Sequence, residues 1–595
     1  MKRAPSTFLF LFFLPLSAHA GFFDPPTIRV ANKTSVPLYL SIYYCRHTYG
    51  MRGTDPLLLP PDNALHLTLP APHLIRMRRL VVATTPEDLS EEYPIDLALN
   101  PAVGLFRPND FTVMADTQSA QPCIVPTSTW IAKEYDTKPA DLTLSPMPPA
   151  EETAYAAARC AYVHEQQNRF FSATLSRPLR IGVCSSGGGF RAMIATAGLL
   201  WGLEECGLLP LIDTCVGLSG ATWFLFPWVL STRPIAEHTD QLADWLWQGL
   251  IHHVSDQYRD FAHVAALKKT CGQSISGIDF YGISLAHTLI KPFKPEAVHL
   301  TMHAVAAACD PTKHPLIIGT ASTRPQVHEP HTWISCTPFS LQLLDEHLYV
   351  PIDSVGARFS SLRQLNTPPP LLLCYFLGIF GSSFSISVRD VIERVPESLQ
   401  ALWARILPRD WHVKPWSNKR FIAATIPNPC FQAPHSAHAA LPLMTLVDGG
   451  YLNNLPLEAT VALRSEPYDI LFVLDSKQQR LSRLRGLRAA HTAASAHHPL
   501  PALDEDAAIT KTVSFHFSPE SPTVLIYCTL EGSPEYDADF NPAGDPTYTT
   551  LRLLYTPTVA RRLATFMRDT ILRAAETIKT MLTDRAKPLF LPSAG

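Results

Sequence analysis

Three short stretches of this chain carry residue types that together suit covalent catalysis at a carbonyl. In Asp213-Thr-Cys-Val-Gly-Leu-Ser-Gly-Ala-Thr-Trp223, an apolar run ends in Gly217-Leu218-Ser219-Gly220 and a helical pattern begins. A strand, a tight turn and a helix in that order lift a serine hydroxyl clear of its neighbours. The small flanking residues are what so sharp a turn demands. The α/β-hydrolase form of this turn has a glycine two residues after the serine, where this chain has Ala221. Alone, a Gly-x-Ser-Gly is equally at home as a plain structural turn.

The second stretch is Arg180-Ile-Gly-Val-Cys-Ser-Ser-Gly-Gly-Gly-Phe-Arg-Ala-Met193. A short apolar strand runs into three glycines, and a helix is predicted from about Phe190 to Cys206. Consecutive glycines let backbone N–H groups converge where a side chain would clash. The helix N-terminus adds partial positive charge at the same place, which suits a phosphate or a developing oxyanion. Neither the dinucleotide spacing G-x-G-x-x-G nor a P-loop lysine is present. The third stretch is Leu446-Val447-Asp448-Gly449-Gly450, followed by Asn453-Asn454-Leu455-Pro456. It puts a carboxylate at a strand end beside permissive glycines, although Asp-Gly is also a common turn pair. The combination and order of the three stretches point to chemistry.

These stretches need a scaffold, and the chain offers one. After a Pro-rich link at Pro139 to Pro149, a helix is predicted over Glu151 to Phe171, and α and β patterns then alternate to about residue 475. Strands near Val513 to Phe517 and Thr523 to Tyr527 follow, then an amphipathic helix over roughly Pro557 to Leu582. Pro227, inside the helix after Ser219, should kink or shorten it. The apolar run Leu371 to Phe380 is too short to span a bilayer and reads as buried core or a lipid-facing rim. The segment Arg485 to Ala508, rich in Ala, His and Pro, reads as a mobile loop. Residues 25 to about 125 look all-β, with strand-like Ile28 to Val30, Leu38 to Tyr44, Leu65 to Leu69 and Leu80 to Thr84. The domain reading is thus a β domain at 25–125, a linker at 126–150 and a catalytic domain at 151–585.

Composition narrows the class. The 595 residues are 46% hydrophobic and 17% charged, with a net charge of −3, which describes a folded multidomain protein. No basic run suggests nucleic acid, and no acidic cluster has calcium-loop spacing. The 12 cysteines include no C-x-x-C pair, so neither a zinc site nor another cofactor is expected. Cys184 and Cys215 are expected as buried thiols, and Cys45 with Cys123 is the simplest candidate pair for oxidation. Lys2 and Arg3, the apolar Phe8 to Leu16 and Ala18-His19-Ala20 form a signal-peptide pattern over residues 1–20. It implies export to the periplasm or medium, with Gly21 as the mature start.

Taken together, the three stretches resemble the cytosolic-type phospholipases A2 with their fungal lysophospholipase relatives, and more remotely the patatins. Gly277-Ile-Asp-Phe-Tyr-Gly282, His331 to Pro338, Tyr375 to Ile386 and Tyr536 to Tyr555 extend the resemblance over roughly residues 150 to 585. It implies an α/β patatin-like fold, a central mixed sheet flanked by helices, behind the small all-β domain. It also implies a Ser-Asp dyad without histidine: Ser219 as nucleophile, Asp448 as base, Gly188 and Gly189 as oxyanion donors, and Arg191 on the substrate phosphate. The implied substrate is a phospholipid or lysophospholipid at a membrane or micelle surface. The calcium-binding docking domain of animal members has no visible counterpart. The rival readings are acyl transfer from the same acyl-enzyme, a silent binding protein retaining the fold, and a Ser-His-Asp triad. The triad would need a histidine downstream of Asp448, and none lies in a recognisable motif.

Overall fold

The computed structural model describes residues 142–592, apart from 248, 251–253, 271–272, 274, 324–331, 369, 383–423, 441, 533–538, 551 and 553, together with nine strands between residues 27 and 126. The signal-peptide pattern and the greater part of the linker lie outside the described residues, as do the side chains of Cys45 and Cys123.

The chain divides into two units, and the first holds the N-terminal strands. They are β1 (Thr27–Asn32), β2 (Leu38–Arg46), β3 (Met51–Gly53), β4 (Leu57–Leu59), β5 (Ala64–Thr68), β6 (Ile75–Ala83), β7 (Ile95–Asp96), β8 (Asn109–Ala115) and β9 (Pro122–Pro126). One sheet has the order β5-β1-β8-β9, and the other β3-β2-β6-β7 with β4 also on β2.

The second unit opens with helix α1 (Ala150–Phe171) and then alternates. In order come β10 (Ile181–Ser185), α2 (Gly189–Glu205), β11 (Thr214–Leu218), α3 (Thr222–Ser231), α4 (Ile235–Leu246), α5 (Val254–Thr270, whose residues from Ala266 on fall in the first unit), α6 (Gly277–Leu289) and α7 (Met302–Ala308). Next are β12 (Leu316–Thr323), β13 (Trp333–Cys336), β14 (Ser340–Leu343), β15 (Leu348–Pro351), the short pair β16 (Phe359–Ser360) and β17 (Arg363–Gln364), and α8 (Leu373–Phe380). The rest are β18 (Ala424–Pro427), β19 (Leu443–Asp448), α9 (Leu457–Ala462), β20 (Ile470–Asp475), α10 (Arg480–Ser495), α11 (Glu505–Thr510), β21 (Val513–His516), β22 (Val524–Thr529) and α12 (Pro557–Ala586).

Eleven strands form one mixed sheet in the order β15-β14-β13-β12-β11-β10-β20-β22-β21, with β19 on β12 and β18 on β19. Strands β12, β11, β10, β20 and β22 run parallel. Every residue of β10, β11, β20 and β22 is buried, as expected of parallel strands covered on both faces. The expected α/β mixed sheet with flanking helices is therefore present. Helix α2 packs against α12. A methyl at Gly198 would lie 2.3 Å from the Ala564 carbonyl oxygen, and one at Gly202 would lie 2.8 Å from that of Arg568. Only glycine lets two helices approach so closely.

Two sequence expectations are resolved by packing. All of α8 is buried, so the apolar run is core and not a lipid-facing rim. Residues 485–508, expected as a mobile loop, are instead the body of α10, a connection and α11. Arg483, Leu487, Ala490 and Ala494 form a buried stripe at helical spacing; the last three pack with Leu471, Val473 and Tyr527 of the sheet, and Arg483 pairs with Glu531. An arginine and two alanines make up most of that stripe, so hydropathy hides it, although Ala, Arg and Leu are strong helix formers.

Candidate active site

The strand order reverses between β10 and β20. From β10 the chain moves outward to β11 and β12, and it later returns to β20 on the other side of β10. At such a switch point the loops beyond the carboxyl ends of the parallel strands diverge and leave a crevice. The Gly187–Gly189 loop follows β10 at this crevice. Ser186 N–H donates to the Leu474 carbonyl of β20 over 2.9 Å, and Ser476 N–H donates to Ser186 Oγ over 2.7 Å.

Ser219 is the first residue after β11 and is 4% exposed. Its φ of 52° lies in the left-handed region, a conformation costing a non-glycine residue about 1–2 kcal/mol. This strained elbow is the geometry expected of a nucleophile turn. Next to it, a methyl at Gly220 would sit 1.9 Å from the Gly189 carbonyl oxygen, and one at Gly187 would sit 3.1 Å from Ser219 Cβ. The glycine loop and the elbow thus touch backbone to backbone. Gly188 and Gly189 have φ of 149° and 62° and open α2. Among the described residues no carbonyl or side chain accepts from either N–H. The two donors are free for an anion at the helix N-terminus.

Asp448 is fully buried at the end of β19. Leu218 pairs with Thr320 of β12, and Asp448 pairs with Ala321. Strand β13 occupies the opposite edge of β12, so β11 and β19 lie on the same edge and meet end to end. Residues 230 positions apart thereby end their strands at one point. The turn after the aspartate also touches the elbow, since a methyl at Gly449 would lie 3.0 Å from Leu218 Cδ1. Asp448 Oδ1 accepts from Gly450 N–H at 2.7 Å, which holds the carboxylate over its own turn. Burial, and then the nearby Asp448 carboxylate, hold the Tyr281 hydroxyl well above its ordinary range.

Helix α8 connects the two halves. Trp223 Nε1, four residues past Ser219, donates to the Leu377 carbonyl at 3.3 Å, and Gly381 closes on the Trp223 ring. Ser382 then accepts the Asp448 amide. Ser382 lies in the Tyr375 to Ile386 stretch, 66 positions from its partner, and nothing in that stretch marks it as a support for Asp448. Pro227 sits inside α3, a ten-residue helix that stops at left-handed Thr232.

Arg191 is 2% exposed and pairs with no carboxylate among the described residues. Its guanidinium donates to the Tyr548 carbonyl (2.7 Å) and to Thr550 Oγ1 (3.0 Å), while Nε has no partner. Burial pulls its pKa down to about 10, leaving it charged at neutral pH. Three histidines downstream of Asp448 hold local structure. His491 Nε2 pairs with the Pro501 carbonyl, His498 Nε2 with the Arg464 carbonyl, and His516 with Asp504 N–H and Ser514 Oγ.

Comparison with known proteins places this arrangement in a family. Human cytosolic phospholipase A2 zeta is 26% identical over 222 residues, covering 36% of this chain and 25% of the relative. Human cytosolic phospholipase A2 epsilon is 25% identical over 247 residues, covering 40% of this chain and 28% of the relative. The aligned region thus spans about a quarter of the length of these curated relatives. The structure of human GIVD cytosolic phospholipase A2 superposes with a TM-score of 0.58 at 15% identity, over 95% of this chain and 84% of that one, and shares its fold. Residues 181–492, more than half of the chain and including both meeting strand ends, match the lysophospholipase catalytic domain. The chain belongs to that family.

Proposed function

We propose that this protein hydrolyses fatty-acyl ester bonds of phospholipids or lysophospholipids through an acyl-enzyme on Ser219. The observation that carries this reading is the end-to-end meeting of β11 and β19 on one edge of β12. It brings together the strand ends of a strained serine elbow and a buried carboxylate, and the glycine loop packs against that elbow at Gly220. Asp448 takes the Ser219 proton as the hydroxyl attacks the ester carbonyl, and gives it to the departing oxygen as the alcohol or lysophospholipid leaves. The regenerated carboxylate then draws a proton from water, which attacks the acyl carbonyl, and returns that proton to Ser219 Oγ as the fatty acid is freed. Gly188 and Gly189 N–H groups, backed by the α2 dipole, hold the oxyanion in both steps. Arg191, buried with its guanidinium against Gly188, faces the substrate phosphate through a charge-assisted contact.

The decisive experiment incubates the purified protein with defined phospholipids and lysophospholipids and reads the products by mass, with Ser219→Ala as control. Free fatty acid that is absent in the variant supports the reading. Equal release by both proteins refutes it. The basic start, apolar core and Ala18-His19-Ala20 support export as part of the same proposal. A mature N-terminus at Gly21 is expected in a secretion-competent host, and an intact Met1 there would refute it.

A further inference from the structure

We propose that Asn454 is a positioning residue for the oxyanion loop, an inference that rests on the reading of Ser219 and the glycine N–H groups given above. Gly187 N–H donates to the Asn454 carbonyl over 2.9 Å. In return Asn454 Nδ2 donates to the Gly187 carbonyl over 3.0 Å. Two residues 267 positions apart thus share a reciprocal pair of hydrogen bonds. One partner opens the glycine loop, and the other lies six residues beyond Asp448.

Glycine runs are the least pre-ordered backbone, yet an oxyanion site needs its N–H groups fixed in advance of reaction. On its β20 side the loop is held by Leu474 and Ser476, through Ser186. On the other side Asn454 clamps it. The clamp acts where the loop faces the nucleophile, since a methyl at Gly187 would lie 2.7 Å from Asn454 Oδ1 and 3.1 Å from Ser219 Cβ. Asn454 therefore ties the glycine loop to the segment that follows the base.

Its neighbour shows what an ordinary turn asparagine does. Asn453 Oδ1 accepts from Leu455 N–H at 3.1 Å, and Nδ2 donates to the Gly486 carbonyl of α10 at 3.0 Å. That side chain braces its own turn and a helix. The Asn454 side chain, by contrast, leaves its turn to hold the carbonyl of the glycine loop. Small errors in aiming such donors are costly, since groups about 1 Å out of place lose on the order of 10²-fold in rate.

The test compares full-length wild type with Asn454→Ala, Asn454→Asp and, as a turn control, Asn453→Ala. Turnover of a short-chain nitrophenyl ester, inactivation by an alkyl fluorophosphonate, and melting temperature are measured on each. Asn454→Asp preserves shape but removes the donor and sets a carboxylate against the Gly187 carbonyl. Both Asn454 variants should lose roughly 10- to 100-fold in kcat with KM changed less than about threefold, and fluorophosphonate inactivation should slow in parallel. Asn453→Ala should lower the melting temperature at least as much without that selective loss of kcat. A folded Asn454→Ala with kcat within twofold of wild type overturns the inference. So does a loss that appears only in KM, or one matched by Asn453→Ala at equal stability. If Ser219→Ala is as active as wild type, or if wild type neither turns over the ester nor reacts with the fluorophosphonate, the hydrolase reading itself falls. If Ser219→Ala is dead and the Asn454 variants are normal, only the positioning role falls.

Discussion

The amide of Asp448 donates to the hydroxyl of Ser382 over 2.9 Å, and that hydroxyl donates in turn to the Ile379 carbonyl at 2.8 Å. Ser382 is fully buried at the end of α8. A buried strand-end amide needs an acceptor, and leaving it unpaired costs about 1–3 kcal/mol. The bond also fixes where the carboxylate of Asp448 begins.

Ser382→Ala should therefore lower stability by about 1–3 kcal/mol and kcat by roughly tenfold, with a smaller change in KM. Denaturant melts and steady-state kinetics check both. A folded variant with wild-type kcat would show that Asp448 is positioned without this bond.

Removing the proton acceptor while keeping its shape should be as damaging as removing the nucleophile. Asp448→Asn and Ser219→Ala are each expected to lose at least about 10² to 10⁴ in rate. Single replacements of His491, His497, His498 or His516 should leave most activity, since three of them serve local structure. A dead histidine variant beside an active Asp448→Asn would replace the dyad with a conventional triad.

The left-handed φ of Ser219 predicts a separation between stability and activity. Ser219→Gly and Ser219→Ala should both be inactive, but only glycine relieves the strain. The glycine variant should be more stable than the alanine variant by roughly 1 kcal/mol. Equal denaturation midpoints, or a less stable glycine variant, would mean that the elbow stores no strain.

Arg191→Lys keeps the charge but loses the fork that holds the Tyr548 carbonyl and Thr550. Hydrolysis of a phospholipid should fall at least about tenfold more than hydrolysis of an uncharged ester, because the phosphate contact is lost in addition to the packing. Equal losses on the two substrates would restrict Arg191 to supporting the 548–550 segment.

Asp213 provides a pH test away from the site. Burial raises its carboxyl from 3.8 to about 6, against the opposing pull of Arg464. Between those values the folded protein binds the proton that the unfolded chain has released. The contribution of this group therefore falls as pH rises from about 4 to about 6, then stays unfavourable. Asp213→Asn keeps an acceptor for Ile181 N–H and should be more stable than wild type at pH 7.5 by roughly 1–2 kcal/mol. The gap should close near pH 4. A variant less stable than wild type at pH 7.5 would show that the Arg464 contact outweighs burial.

The local parts of the site were legible from residue types alone. Gly187 to Gly189 and the flanks of Ser219 are small because a side chain at Gly187 or Gly220 would strike neighbouring atoms, and that demand is written within a few residues of each turn. The helices at 150–171 and 557–586 were equally plain from their spacing. Residues 485–508 were misread because the buried stripe of their helix has only Leu487 as a strongly apolar member, beside Arg483, Ala490 and Ala494. The convergence of the strand ends that precede Ser219 and carry Asp448 depends on which edge of β12 each strand takes, and the bonds from Ser382 and Asn454 depend on carbonyls and amides far away in sequence. Steric demands at a turn act over neighbouring residues and leave a local signature. Strand register and single long-range hydrogen bonds have no period, so only the folded chain decides them.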